Sequence, residues 1–234
     1  TAWRSLVWND LAQGLLKLAG DKAKPLPARV AALYAITGLA QKADSAAQTA
    51  SLVAPLAVDP ALQRFVLRAL GDVDLAKAAE GKSAVPSEVF AAGLKSEDAR
   101  TRLEAIIGAT RQHQLSLAPA ITTQLGDADP VIAHTAFRGL AMLGASEACF
   151  AVVDRAESSS AQRTGALRAL MRMHKPEVVK GLIDRVDQPS QAANRREILG
   201  ALCRLHFHEG EWKGDSWGTR PDTPRRSFTM TASV

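Results

Sequence analysis

The chain has 234 residues, 47% of them apolar and only 5% aromatic, which excludes a disordered chain and, with alanine and leucine dominant and β-branched runs short, argues against a sheet. Its 29 basic and 24 acidic residues leave a formal charge of +5, which favours anionic partners; the two signs are interspersed, so a nucleic-acid footprint is not indicated. No run approaches the roughly 20 apolar residues that cross a bilayer, so no membrane insertion is expected.

In chain order, the first predicted element is a helix from Trp3 to Ala19, with an apolar stripe of Trp3, Leu6, Val7, Leu11, Leu15 and Leu18. Residues 1–26 are read as an N-terminal cap or the remnant of an upstream repeat, because a chain that starts at Thr1 has the look of a processed or excised piece.

From there to residue 207 one pattern recurs: large apolar, any, small, large apolar. Its six copies are Leu33-Tyr34-Ala35-Ile36, Leu67-Arg68-Ala69-Leu70, Leu103-Glu104-Ala105-Ile106, Phe137-Arg138-Gly139-Leu140, Leu167-Arg168-Ala169-Leu170 and Leu199-Gly200-Ala201-Leu202. Successive copies are 34, 36, 34, 30 and 32 residues apart, the period of a two-helix unit. The large residues share one helical face, and the small residue lets a neighbouring helix come close.

Between the copies lie second-helix segments at Ser51 to Val58, Pro86 to Leu94, Leu117 to Leu125, Ser146 to Ala156 and Pro176 to Val186. Asp59-Pro60, Ser96-Glu97-Asp98, Asp129-Pro130 and Pro189-Ser190 supply start signals; Gly71, Gly126 and Gly144 supply stops. Asp72 to Val85 is less regular and reads as a short helix or extended loop. The fold class is therefore an all-α, right-handed α-solenoid of about five to six helix pairs over residues 27–207, closed by an irregular tail over 208–234.

The stretch from Leu125-Gly126-Asp127-Ala128-Asp129-Pro130 through Phe137-Arg138-Gly139-Leu140 to Gly144 resembles the HEAT-repeat, armadillo-like pattern of an acidic turn followed by an apolar helix. That resemblance implies an inter-repeat ion-pair arginine seven residues before the final apolar residue of the pattern; Arg29, Arg163 and Arg195 fill the position, whereas Gln63, Ala99 and Ala133 do not. The segment Trp212 to Thr223 looks like the one that follows HEAT arrays in large bacterial modular proteins with a sugar-dehydrogenase-like propeller and a C-terminal c-type haem domain. Such a parent implies an extracytoplasmic, periplasmic location. The chain itself has no C-x-x-C-H, so no haem is assigned to it.

No nucleophile elbow, phosphate loop or dinucleotide glycine motif stands in its required context, and no catalytic, cofactor or metal residue is assigned. Cys203, His206 and His208 come nearest to a metal set, but a continuing helix turns His208 away. Cys149 and Cys203 read as small core residues.

The candidate interaction surface is an arginine stripe, Arg68, Arg138, Arg168 and Arg172, together with the tail cluster Trp212, Trp217, Arg220 and Asp222. The stripe is suited to carboxylates or phosphates and is interrupted by Glu104. The tail either caps the last repeat or docks a neighbour. The expected role is a non-catalytic interaction or spacer scaffold in a larger bacterial protein, with neighbouring domains of the same polypeptide or another protein as partners. The competing readings are a nucleic-acid-binding solenoid and a helical-repeat enzyme or lyase with a site near the tail.

Overall fold

The computed structural model describes residues 2–42, 46–73, 85–208 and 231–232. The irregular segment expected between Asp72 and Val85, and the tail cluster Trp212, Trp217, Arg220 and Asp222, fall largely or wholly outside the described residues.

The chain is all-α in the armadillo or HEAT manner and divides into two compact units, Thr1–Ala145 and Ser146–Val234. The first holds α1 (Ala2–Gly20), α2 (Leu26–Lys42), α3 (Ala46–Val53) running into a 3-10 turn at Ala54–Val58, α4 (Pro60–Gly71), α5 (Ser87–Leu94), α6 (Ala99–Arg111), α7 (Ala118–Thr122) and α8 (Pro130–Leu143). The second holds α9 (Ser146–Asp154), α10 (Ser160–Leu170), α11 (Pro176–Val186), a 3-10 stretch at Pro189–Asn194 and α12 (Arg195–Leu205). There β1 (Phe207–His208) pairs antiparallel with β2 (Thr231–Ala232).

Helices pair in sequence order, α1 on α2, α5 on α6 and α7 on α8 in the first unit, α9 on α10 and α11 on α12 in the second. The second members of the pairs then pack side by side: α2 on α4, α4 on α6, α6 on α8, and in the second unit α10 on α12. The repeated pattern explains this layer. Leu33, Ile36, Leu67, Leu70, Ile106, Leu140, Leu167 and Leu170 are fully enclosed or nearly so, each contributing about 2 kcal/mol of apolar burial. The small positions Ala69, Ala105, Gly139, Ala169 and Ala201 are buried between them, whereas Ala35 is exposed.

On α1, among the residues whose burial is described, Ala12 and Ala19 are buried, Leu15 and Leu18 of the expected stripe are half-buried and Leu11 is 48% exposed. One apolar face is rotated from its expected position. On α12 Leu199 is exposed while Ile198, Ala201 and Leu205 are buried. That helix follows six residues of 3-10 winding, whose tighter turn displaces the face by a residue.

Capping follows the sequence signals closely. Asp59 accepts from the Ala61 amide at 3.0 Å, Asp98 from the Thr101 amide at 2.9 Å and Asp129 from the Val131 amide at 2.8 Å, with Pro60 and Pro130 opening α4 and α8. Ser159 and Gln162 form a reciprocal capping box on α10. Gly144 closes α8 in the left-handed conformation at φ 64°, and the Ala145 amide reaches back to the Leu140 carbonyl. At the end of α6 the same closure is made by His113, at φ 50°, with the Gln114 amide bonded to the Ala109 carbonyl. Gly71 and Gly126 are the last residues of their helical turns, without the left-handed closure that Gly144 makes.

The arginines do more than the expected ladder. Arg29 is buried; its Nε donates to the Ala19 carbonyl at the end of α1, and its Nη2 pairs with Asp59 at 2.5 Å, joining the first pair to the cap of α4. Arg163 and Arg195 make no ion pair among the described residues: Arg163 donates to the carbonyls of Arg155 and Ala156, and Arg195 to that of Val186. At Ala99 the missing arginine is replaced by Arg102, three residues on, which donates to the carbonyls of Ser96 and Glu97 and pairs with Asp127 at 2.9 Å. The shared function is thus satisfaction of the carbonyl end of the preceding helix; the ion pair is added only where an aspartate stands opposite.

Candidate interaction surface

The position after the first large residue lies on the outer side of the layer of packed helices, exposed at Tyr34, Arg68 and Arg138 and half-buried at Glu104. In the first unit it is filled by Tyr34 on α2, Arg68 on α4, Glu104 on α6 and Arg138 on α8. The sequence treats Glu104 as a break in an arginine stripe; the structure makes it a partner. Arg68 Nη1 lies 3.4 Å from Glu104 Oε1 and its Nε 3.2 Å from Asp72 Oδ2. Asp72 also pairs with Arg111 of α6. Arg68 is therefore held between two carboxylates, and the charge of Glu104 raises its pKa further.

Above this network opens a cleft of about 610 Å3, lined by Tyr34, Arg64, Phe65, Arg68, Asp72, Arg100 and Glu104. Arg64 places its guanidinium carbon 4.7 Å from the centroid of the Phe65 ring, an arrangement that stacks the planar cation and leaves its N–H edge outward. Partial burial raises the pKa of Tyr34, so its hydroxyl stays protonated and able to donate. Glu104 Oε2 is enclosed without a hydrogen-bond partner.

A second cleft, of about 290 Å3, lies between α6 and α8 and is lined by Ile107, Thr110, Arg111, His134, Thr135, Arg138, Gly139 and Met142. At its floor α8 comes close to α6, because position 139 has no side chain: a methyl there would meet Thr110 Oγ1 at 2.6 Å. Met142 is 69% exposed, and His134 sets its ring edge-on to Phe137 at 4.8 Å. Arg111, paired with Asp72 of the first cleft, also lines the second, so the two share α6 as a wall.

In the second unit Arg168 and Arg172 are both exposed, on and just after α10. Cys203, expected in the core, is exposed, because the rotation of α12 that turns Ile198 inward carries it outward; Cys149 is buried. His206 is exposed and lies edge-on to Phe207. Among the described residues no group of three histidine, cysteine or acidic side chains is placed to hold a metal ion, and no helix is long and apolar enough to cross a membrane.

Arg64, one turn before Arg68, belongs to the outward face that the sequence predicts, whereas Arg100 and Arg111 stand outside it and bracket a helix whose own pattern position is acidic.

No protein-family model matches the chain, and no curated protein matches it. Among solved structures, a designed armadillo repeat protein is 14% identical with a TM-score of 0.50, covering 83% of this chain and 99% of the design. An engineered protein is 18% identical with a TM-score of 0.47, covering 83% of this chain and 86% of its own. Human deoxyhypusine hydroxylase in complex with glycerol is 16% identical with a TM-score of 0.39, covering 88% and 99%. The likeness to the armadillo design shows a shared helical-repeat fold.

Proposed function

We propose that this chain is a non-catalytic scaffold that binds a protein partner along the exposed side of α2, α4, α6 and α8, as one module of a larger bacterial protein. The observation that carries the reading is the row Tyr34, Arg68, Glu104 and Arg138, one residue from each of four helices packed in succession, with a cleft on either side of α6. Stacked helix pairs offer extended surfaces of this kind, and affinity is built from several modest contacts. The apolar side chains of Ile107 and Met142 in the second cleft favour a protein partner over a nucleic acid. The tail cluster Trp212, Trp217, Arg220 and Asp222, and Arg168 with Arg172, are a second set of contacts in this proposal, toward neighbouring domains of the parent polypeptide.

Site-specific photo-crosslinking tests it. A benzophenone amino acid in place of Tyr34 or Met142 should give discrete adducts in the native source, and the same group in place of Leu115, exposed outside the row, should not. Adducts of equal yield at all three positions, or none at Tyr34 and Met142, overturn the proposal.

A further inference from the structure

The charge and shape of the two clefts specify the partner more narrowly. Their lining holds five arginines, Arg64, Arg68, Arg100, Arg111 and Arg138, against two carboxylates, Asp72 and Glu104. Asp72 is taken up by Arg68 and Arg111, and Glu104 by Arg68 through Oε1, its Oε2 being enclosed. The guanidinium groups of Arg64, Arg100 and Arg138 donate no hydrogen bond to a described residue, although the charge of Arg64 acts on Asp98. The nearby Asp98 is likewise committed, to the amide and hydroxyl of Thr101. Three guanidinium groups thus face the clefts with their donors unspent, one of them pre-oriented on an aromatic ring.

Beside them the second cleft supplies an apolar seat. Met142 and Ile107 line it, with Gly139 at its floor, and the adaptable thioether of the exposed Met142 suits a branched aliphatic side chain. Four helices at about 9 Å spacing span about 27 Å, which an extended chain covers in about eight residues at ~3.3 Å each.

We infer that the two clefts bind an acidic, extended peptide segment, Arg64, Arg100 and Arg138 taking its carboxylates and the Ile107–Gly139–Met142 seat taking one aliphatic side chain. The inference rests on the scaffold reading above and names its partner class. Bidentate guanidinium–carboxylate contacts fix the register, and the apolar seat separates such a segment from a uniformly charged polymer.

The test uses the full chain and fluorescence anisotropy with three labelled probes: a peptide of about ten Asp and Glu residues carrying one leucine, the same peptide with Asn and Gln, and a single-stranded oligothymidine of equal charge. The acidic peptide should bind, the amide peptide should bind on the order of tenfold more weakly or not at all, and the oligonucleotide should compete poorly. The variant Arg64→Ala/Arg100→Ala/Arg138→Ala should lose on the order of tenfold in affinity with an unchanged melting temperature, and Met142→Ala should weaken the acidic peptide but not a version of it with alanine in place of the leucine. Arg168→Ala, in the other unit, should bind as the parent does. Equal binding of acidic and amide peptides, tighter binding of the oligonucleotide, no binding of the acidic peptide, or an unaffected triple variant each overturn the inference. If the acidic peptide fails while crosslinks form through Tyr34, the partner class is wrong and the scaffold reading stands; if neither occurs, both fall.

Discussion

Gly71 on α4 and Gly108 on α6 stand backbone against backbone: a methyl group added at Gly71 would lie 2.7 Å from the Cα of Gly108. Gly108 is hemmed in from its other side, where an added methyl would lie 2.3 Å from the Phe90 ring and 3.1 Å from the Leu67 carbonyl. The tight packing of α4 on α6 depends on both.

Gly108→Ala should therefore destabilise the fold by about 2 kcal/mol through overpacking against groups that cannot retreat. Gly200→Ala is the control. Its site on α12 has nothing within 4 Å, and alanine in a helix interior should stabilise by about 0.5–1 kcal/mol. Opposite shifts in thermal melts followed by circular dichroism check the pair; a matching sign at the two positions contradicts the packing described.

Replacing Arg29 by Met should cost about 3 kcal/mol, because it strips the partner from a nearly enclosed Asp59 carboxylate and from the Ala19 carbonyl. Urea unfolding of the variant measures it, with the midpoint falling and the slope unchanged.

The hydrogen bond from Arg29 holds the Asp59 carboxyl below its ordinary pKa, and the hydroxyl of Thr101 does the same for Asp98. The folded state thus holds these protons more weakly than the unfolded chain. Their stabilisation is present in full above the unfolded value of about 4 and is lost as pH falls through the lower folded values. Melting temperature should be flat near neutrality and fall below about pH 4, with a shallower acid loss in Asp59→Asn.

His113 adopts a left-handed backbone at φ 50° where glycine is the common choice. His113→Gly should raise stability by about 0.5 kcal/mol, the relief of about 1 kcal/mol of strain exceeding glycine's extra backbone entropy. A small rise in melting temperature is the expected reading.

The two thiols should separate cleanly. Burial pushes the Cys149 pKa up to about 12, leaving it unreactive, while Cys203 is exposed. A disulfide reagent at neutral pH should titrate one thiol in the native protein and two in denaturant.

The layer of first-pattern helices was legible because its cause is local: a four-residue pattern that repeats every 30 to 36 residues needs no knowledge of partners. So were the caps Asp59, Asp98 and Asp129, whose oxygens bind amides two or three residues away. What escaped depends on the register between elements. Glu104 is a break in a stripe until α4 and α6 are set side by side, when it becomes the partner of Arg68. Arg102 does the work expected at Ala99 because its long side chain reaches back over a turn to the end of α5. The exposure of Leu199 and Cys203 follows from 3-10 winding before α12, which Pro189-Ser190 announces only as a start.

The carbonyl clamps made by Arg29, Arg102, Arg163 and Arg195 bear on how the chain is born. Each joins groups only 5 to 10 residues apart, at the elbow between two helices of one pair. Such an elbow can lock as soon as both its arms have left the ribosome, and contacts this local favour rapid closure. The longer ties, Arg29 to Asp59 and Arg102 to Asp127, wait for the next pair, so in the first unit two finished hairpins offer a ready hook to the helices that follow them.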